Sequence, residues 1–517
     1  MPPLSTPPAT RRSVLLGGAG AAGVVGAAAV APPAAEAAPR PGRYKRTPVP
    51  SATTLHRLNR FTYGWTPALG RQVERKGGFE QWFADQLRTR PDPWYAKTSG
   101  WATSLTASPS TIWSRDKSGA ESLWRANANY AAWTLVRQIG SKRQVHEVMA
   151  EFFEHHLHVP LHSDAGPYRI DYGKVIRARA LTSYAEILRA AVLHPAMGIY
   201  LDNANSSKKA PNENLGRELL ELHTVGVGNY TEKDVKNSAR LLTGYRVDAW
   251  RTWAWSYDPA HHWTGPVQVV GFKHANSAAD GRPALYAYLD HLAMHPATAR
   301  RLARKLAVRF VSDTPSAGLV NHLAEVYLRH RTAIAPVLRA LVAHREFLAA
   351  RGSKVRTPTE DVVATYRALG ARPTRGGGSQ RDLAVLWQTQ RVGLTPYDWP
   401  RPDGRPDSGA DWASTGRFLG SLDVHWSMSG GWWPKAATKY VPDSARLPQP
   451  RLRFDRFVDH LCRTMLGRRS TPLILEVACR ATGCRPGEKI TARHRLVRWD
   501  MHKLLTVLLD NPIHMSR

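Results

Sequence analysis

Glu218, Glu221 and His223 close the segment Pro211-Asn212-Glu213-Asn214-Leu215-Gly216-Arg217-Glu218-Leu219-Leu220-Glu221-Leu222-His223. On a helix, Glu218 and Glu221 turn toward nearby faces and His223 stands at the end. Two carboxylates and an imidazole so placed can serve as acid and base, or hold a divalent metal together. The competing reading is an ion-paired ladder, because Glu213, Arg217 and Glu221 fall at i, i+4 and i+8 on one stripe. No His-Glu-x-x-His occurs, and His146-Glu147 lacks the second histidine, so a metal signature is weak here.

A second cluster holds Glu151, Glu154, His155, His156, His158 and His162. Helical spacing pairs Glu151 with His155 and Glu154 with His158, and Pro160 stops the helix. These residues read either as half-buried histidines bonded to glutamates or as ligands of one ion. Further on, Trp250, Trp253, Trp255, Tyr257 and Trp263 interleave with Asp258, His261 and His262. Such aromatics either pack a long loop or line a ligand groove. If the three segments converge, Glu218, Glu221 and His223 are the catalytic groups, and His156, Glu218 and His262 the metal ligands. Trp255, Trp263 and Arg217 then bind substrate. Arg301, Lys305 and Arg309 form a basic stripe opposite Leu302, Leu306 and Phe310, which reads as a solvated face or as a contact for anionic polymers.

Helices must position these groups. Leu215, Leu219 and Leu222 share a face, as do Val235, Ala239 and Leu242. Asn212 or Asn214 caps the first of these helices; Thr231, with Asp234 three residues on, caps the second, and Gly244 stops it. Strand-like alternation is scarce and is best at 267–272, so the fold class is mainly α, with at most a small β-hairpin. Breaks near 98–120, 370–381 (with Gly376-Gly377-Gly378) and 400–411 interrupt the pattern without dividing it. No repeat is evident, and 52–517 reads as one large helical body.

The chain has 517 residues, 43% hydrophobic and 22% charged, which excludes a disordered polymer. Its formal charge of +31 suits anionic partners. Arg11-Arg12 before a glycine-interrupted apolar run, then Ala35-Glu36-Ala37, form the layout of a twin-arginine export signal over 1–37. The protein is therefore expected to be handled by the twin-arginine machinery and to be secreted or associated with the cell envelope. The alternative is a signal kept as an anchor. Residues 38–51 are a Pro-rich basic linker, and no later segment is apolar enough to span a membrane. The Gly18–Gly23 match to a dinucleotide fingerprint lies inside the signal and is discarded. Cys462, Cys479 and Cys484 allow at most one disulfide, with Cys479 and Cys484 the closer pair in sequence. No nucleophile elbow, P-loop, kinase set or nucleic-acid-binding signature is present.

Several segments, in order, resemble the bacterial family known as domain of unknown function 1800. They are Leu55-His56-Arg57-Leu58-Asn59-Arg60-Phe61-Thr62-Tyr63-Gly64, Phe152-Phe153-Glu154-His155-His156, the stretch 211–246, His295-Pro296-Ala297-Thr298-Ala299, Arg367-Ala368-Leu369-Gly370 and Pro396-Tyr397-Asp398-Trp399-Pro400. The resemblance implies a large, mostly helical, exported protein and supplies no catalytic assignment. The family pattern has His-Asp followed by Gly and Lys near 262; here His262 fits, but Trp263 and Val267 replace the Asp and the Lys.

The resulting expectation is a hydrolase, with or without a divalent metal, acting on a cell-envelope or extracellular polymer such as a polysaccharide. Its rival is a non-enzymatic protein that binds anionic wall polymers through its basic surface. A cofactor carrier is a third reading, suggested by the export route alone. Nucleic acid is not expected as a partner.

Overall fold

The computed structural model of the chain describes residues 47–91, 98–374 and 383–517. The expected export signal at 1–37, the expected linker as far as residue 46 and the triple glycine at 376–378 lie outside those residues.

The described chain is mainly α. The helices that carry the argument are α1 (Ala52–Phe61), α2 (Leu123–Gly140), α3 (Gln144–His156), α4 (Gly166–Arg179), α5 (Tyr184–Val192), α6 (Glu213–Glu218), α7 (Glu232–Leu241), α8 (Pro296–Phe310), α9 (Pro358–Leu369), α10 (Thr415–Ser429), α11 (Pro472–Thr482) and α12 (Met501–Leu509). Four antiparallel strand pairs accompany them: β1 (Tyr245–Val247) with β2 (Trp255–Tyr257), β3 (Val267–Val269) with β4 (Phe272–His274), β5 (Arg372–Pro373) with β6 (Thr438–Lys439), and β7 (Arg451–Arg453) with β8 (Lys489–Thr491). The expected hairpin is β3–β4; the other three pairs correct the limit of one. β3 and β4 meet across the tight turn at Val270-Gly271, whereas β5–β6 and β7–β8 join segments far apart in the chain and leave no local pattern. No described helix is long and apolar enough to cross a membrane.

The periodic faces fall where expected. Leu215, Leu219, Val235, Ala239, Leu242, Leu302, Leu306 and Phe310 are buried, and Phe310 stacks on Phe61 of α1 at 4.5 Å. Leu222 is only half-buried, because the chain leaves α6 through a π-helical turn, Leu219–His223, whose wider winding shifts the register. Thr231 and Asp234 form the expected reciprocal cap of α7, and Asn212 is the cap of α6. Gly216 lets α6 and α7 touch: a Cβ there would stand 2.9 Å from the Ala239 backbone nitrogen.

α3 runs through the interior, packed on α4. Its three glutamates are buried, and each is met by arginine. Glu147 accepts from Arg137 of α2 at 2.7 Å and from Arg177 of α4 at 2.7 and 2.9 Å. Glu151 accepts from Tyr63 at 2.7 Å, Arg405 at 3.0 Å and Arg309 of α8 at 3.2 Å. Glu154 accepts from Tyr130 at 2.8 Å and Arg169 at 3.0 Å. The expected glutamate–histidine pairs do not form. α3 ends at His156, leaving His158 off the helix, and a guanidinium neutralises a buried carboxylate better than an imidazole that burial keeps uncharged. Arg309 is likewise not on a solvated face: it is buried and also paired to Glu360 at 2.9 Å and Asp407 at 3.0 Å.

Candidate functional site

The end of α3 differs from its middle. His156 is buried, with its Nε2 2.9 Å from the Tyr184 hydroxyl of α5 and its Nδ1 3.1 Å from Lys305 Nζ of α8. The Tyr184 hydroxyl donates to the backbone carbonyl of His223. That bond uses the phenolic proton, so the hydroxyl oxygen accepts from His156 Nε2–H, and Nδ1 keeps a lone pair for Lys305. A single relay thus runs from Lys305 through His156 and Tyr184 to the π-helical turn.

His223 sits beside it, its ring 6.5 Å from that of His156 and nearly perpendicular. It is buried, and neither ring nitrogen has a hydrogen-bond partner among the described residues. Burial first, then Lys305 and Arg301, depress its pKa to about 3. His156 is held well below the ordinary value by burial and by Lys305. Half-buried Lys305 is brought down to about 8, mainly by burial and then by Arg301, against the opposing charges of Asp407 and Asp403. Arg301 donates from Nε to the Leu222 carbonyl at 3.1 Å, tying α8 to the same turn.

Carboxylates act on this group through charge: Asp403 on Lys305, and Glu221 on Arg301. Glu218 is half-buried and its pKa is raised, chiefly by burial and then by Glu221, with Asp403 adding to the effect. Tyr200 feels both Glu218 and Asp403, and with burial as the main cause it is pushed up to about 12. Asp403 has one buried oxygen without a partner. Glu221 accepts from Tyr230 at 2.5 Å. The loop bearing Asp403 is held close by Gly404, whose φ is +72° and whose Cβ would lie 2.0 Å from the His155 carbonyl oxygen. The site is thus a neutral histidine pair, an amine of lowered pKa and carboxyls of which one resists ionisation. These are the components of acid–base catalysis.

His156, His223, Glu218 and Glu221 from the expected set belong to this region. His262 does not: its Nδ1 lies 3.1 Å from the Thr243 carbonyl and its Nε2 3.1 Å from Asn276 Oδ1. His156, Glu218 and His262 do not form a common ligand set. Among the described residues the groups with three ligand atoms within 4.8 Å of one another are Asp361–His425–His514 and Cys484–Glu488–His494. The expected metal centre is corrected on that point. Trp255 is exposed and stacks on Tyr245 at 5.3 Å; Trp263 lies under Arg240, 4.6 Å from ring centre to guanidinium. Arg217 grips Glu232 with two bonds of 2.7 Å and lies 3.5 Å from Glu213, as the ladder reading anticipated.

Sequence reasoning missed Lys305 and Tyr184 as site residues. Lys305 belongs to a stripe whose spacing reads as a solvated face or as a contact for anionic wall polymers or phospholipid headgroups, and one turn of helix separates it from Arg309, which is buried. Tyr184 carries no local signal, since its role arises from contacts across 28 and 39 residues. The Asp361 group was also missed. It is a saturated ion pair: Asp361 accepts from Ser421 at 2.6 Å and Arg417 at 3.3 Å, and His425 sits between Asp361 and Asp510. Burial opposes the charge on His425, but Asp361 and Asp510 outweigh it and raise the pKa to about 9.

No match is found among the curated proteins or among the solved structures. Residues 56–515 match the family model described as "Protein of unknown function (DUF1800)", and the chain therefore belongs to the DUF1800 family.

Proposed function

We propose that the protein is an exported hydrolase that cleaves a linkage in a cell-envelope or extracellular polymer by acid–base chemistry at Lys305 and Glu218. The observation that carries this reading is the relay Lys305–His156–Tyr184, which fixes an amine of lowered pKa on which Asp407 and Asp403 act. In its neutral form Lys305 takes a proton from water as the water oxygen attacks the scissile centre. The raised Glu218 carboxyl gives its proton to the departing group, and proton exchange with solvent restores both. His156 orients Lys305 and, being neutral, leaves the amine lone pair available for part of each titration cycle. His223, its ring 6.5 Å from that of His156, keeps both nitrogens without a hydrogen-bond partner among the described residues.

The test is release of soluble fragments from envelope polysaccharide and wall polymer by the wild type, Lys305→Met and Glu218→Gln. Lys305→Met should lose on the order of 10²–10⁴-fold in rate while remaining folded. A Lys305→Met protein that cuts as fast as the wild type overturns the assignment. The formal charge of +31 favours a second reading, retention on anionic wall polymer without cleavage. Its signature is binding that weakens steeply with salt and releases no fragments.

A further inference from the structure

The geometry points to a zinc-type metal site in the C-terminal part of the chain, made by Cys484 Sγ, Glu488 and His494, distinct from the Lys305 region. The three ligand atoms already lie within 4.8 Å of one another. Donors on a tetrahedral zinc stand roughly 3.3–3.8 Å apart, so closure around an ion asks for small side-chain movements only. One thiolate, one imidazole and one carboxylate form a borderline-soft set that suits Zn²⁺ or Co²⁺ better than Mg²⁺ or Ca²⁺.

The backbone holds this arrangement in place. Cys484 follows α11 directly after Gly483, whose φ of +71° turns the chain. The turn Arg485–Glu488 closes with Glu488 N–H donating to the Arg485 carbonyl at 3.0 Å. It is then fixed from outside, because Phe454 N–H donates to the Glu488 carbonyl at 2.9 Å and Asp455 N–H to the Pro486 carbonyl at 3.0 Å. Glu488 Oε2 accepts from Arg485 N–H at 2.9 Å, which orients the carboxylate and leaves Oε1 directed at His494 Nε2, 2.8 Å away. That is the supporting contact that metal ligands require. Among the described residues the buried Cys484 thiol has as its hydrogen-bond partner only the Thr482 carbonyl, at 3.9 Å. Glu488 and His494 are partly exposed, which gives an ion a way in.

In the metal-free chain Leu496 N–H donates to His494 Nδ1 at 3.1 Å, so the ring proton is on Nε2 and points to Glu488. An ion takes the Nε2 lone pair, the imidazole proton moves to Nδ1 at the expense of the Leu496 bond, and the thiol proton leaves to solvent. One proton is released per ion, and the fourth position is filled by water. Cys479, one turn back on α11, is a free thiol outside the three-ligand group.

The experiment titrates Co²⁺, then Zn²⁺, into the reduced, chelator-treated full chain. One equivalent of Co²⁺ should produce a near-ultraviolet sulfur-to-cobalt charge-transfer band, which one equivalent of Zn²⁺ bleaches. Cys484→Ala should abolish the band. Glu488→Gln and His494→Ala, read beside a thermal melt that shows them folded, should weaken Co²⁺ binding by about tenfold or more. Cys479→Ala should keep the band. Absence of the band in the wild type, its persistence in Cys484→Ala, its loss in Cys479→Ala, or unchanged affinity in both Glu488→Gln and His494→Ala each overturn the assignment. A thiol count of one rather than three in the exported protein, reporting a Cys479–Cys484 disulfide, overturns it as well.

Discussion

The two ends of α3 sit in the same interior and follow opposite rules. From Glu147 to Glu154 every carboxylate is neutralised by arginine. Burial alone would raise the Glu147 pKa, yet Arg177 and Arg137 hold it well below the carboxylate range. Two residues past Glu154, His156 meets an amine, and His223 has no hydrogen-bond partner for either ring nitrogen among the described residues. The first region is ionic and closed. The second keeps its imidazoles uncharged and leaves both nitrogens of His223 without a hydrogen-bond partner among the described residues.

Breaking the closed end should have the largest effect. Glu147→Ala strands Arg137 and Arg177 without their carboxylate, and the expected loss is about 3–5 kcal/mol in urea unfolding. An unchanged midpoint would mean that α3 is not held by its arginines. Next comes the boundary between the regions: Gly404→Ala must push the loop off the His155 carbonyl, with an expected loss of roughly 1–3 kcal/mol. Since that loop bears Asp403, fragment release should fall with it.

The open end should respond to pH rather than to packing. His223 titrates near 3 when folded and near its ordinary 6.5 when unfolded. Between those values the unfolded chain binds the extra proton, so stability is full above about 6.5 and declines as pH falls toward 3. His425 has the opposite sign: its folded value of about 9 makes its contribution full below 6.5 and lost as pH rises through 9. His223→Phe should therefore shallow the acid limb of the stability curve, and His425→Gln the alkaline limb. Because His223→Phe removes two unpartnered buried nitrogens, it should leave stability at neutral pH within about 1 kcal/mol. Fragment release should be lost. Large destabilisation would instead assign His223 to packing.

The sequence made the scaffold readable and the site only partly so, for one physical reason. Helix faces, the Thr231–Asp234 cap and the β3–β4 hairpin depend on neighbours a few residues apart, and spacing records these. His156 and His223 were legible as chemical types within short clusters. Lys305 and Tyr184 were not, because they acquire their roles through contacts over 149 and 28 residues. The histidine–glutamate pairs failed for the same reason: local spacing proposed an imidazole, while Arg169, Arg309 and Arg405 arrive from elsewhere in the chain. His262 was credible as a ligand until its two nitrogens were found committed to Thr243 and Asn276.

The smallest effect is expected at Arg217, and it sharpens the contrast between buried and exposed ion pairs. Its guanidinium makes two short bonds to Glu232, a contact that on geometry alone matches those of Glu147. The Glu232 side chain, however, is 67% exposed, whereas that of Glu147 is 0% exposed. Water solvates the separated charges of an exposed pair nearly as well as they solvate each other, so Arg217→Ala should cost less than about 1 kcal/mol. The cost should shrink further in salt, while that of Glu147→Ala persists, because buried pairs are screened far less. If Arg217 served substrate as well, Arg217→Ala would raise KM without lowering kcat. Unchanged kinetics would confine it to the α6–α7 surface and leave Lys305 and Glu218 as the proposed acid–base pair.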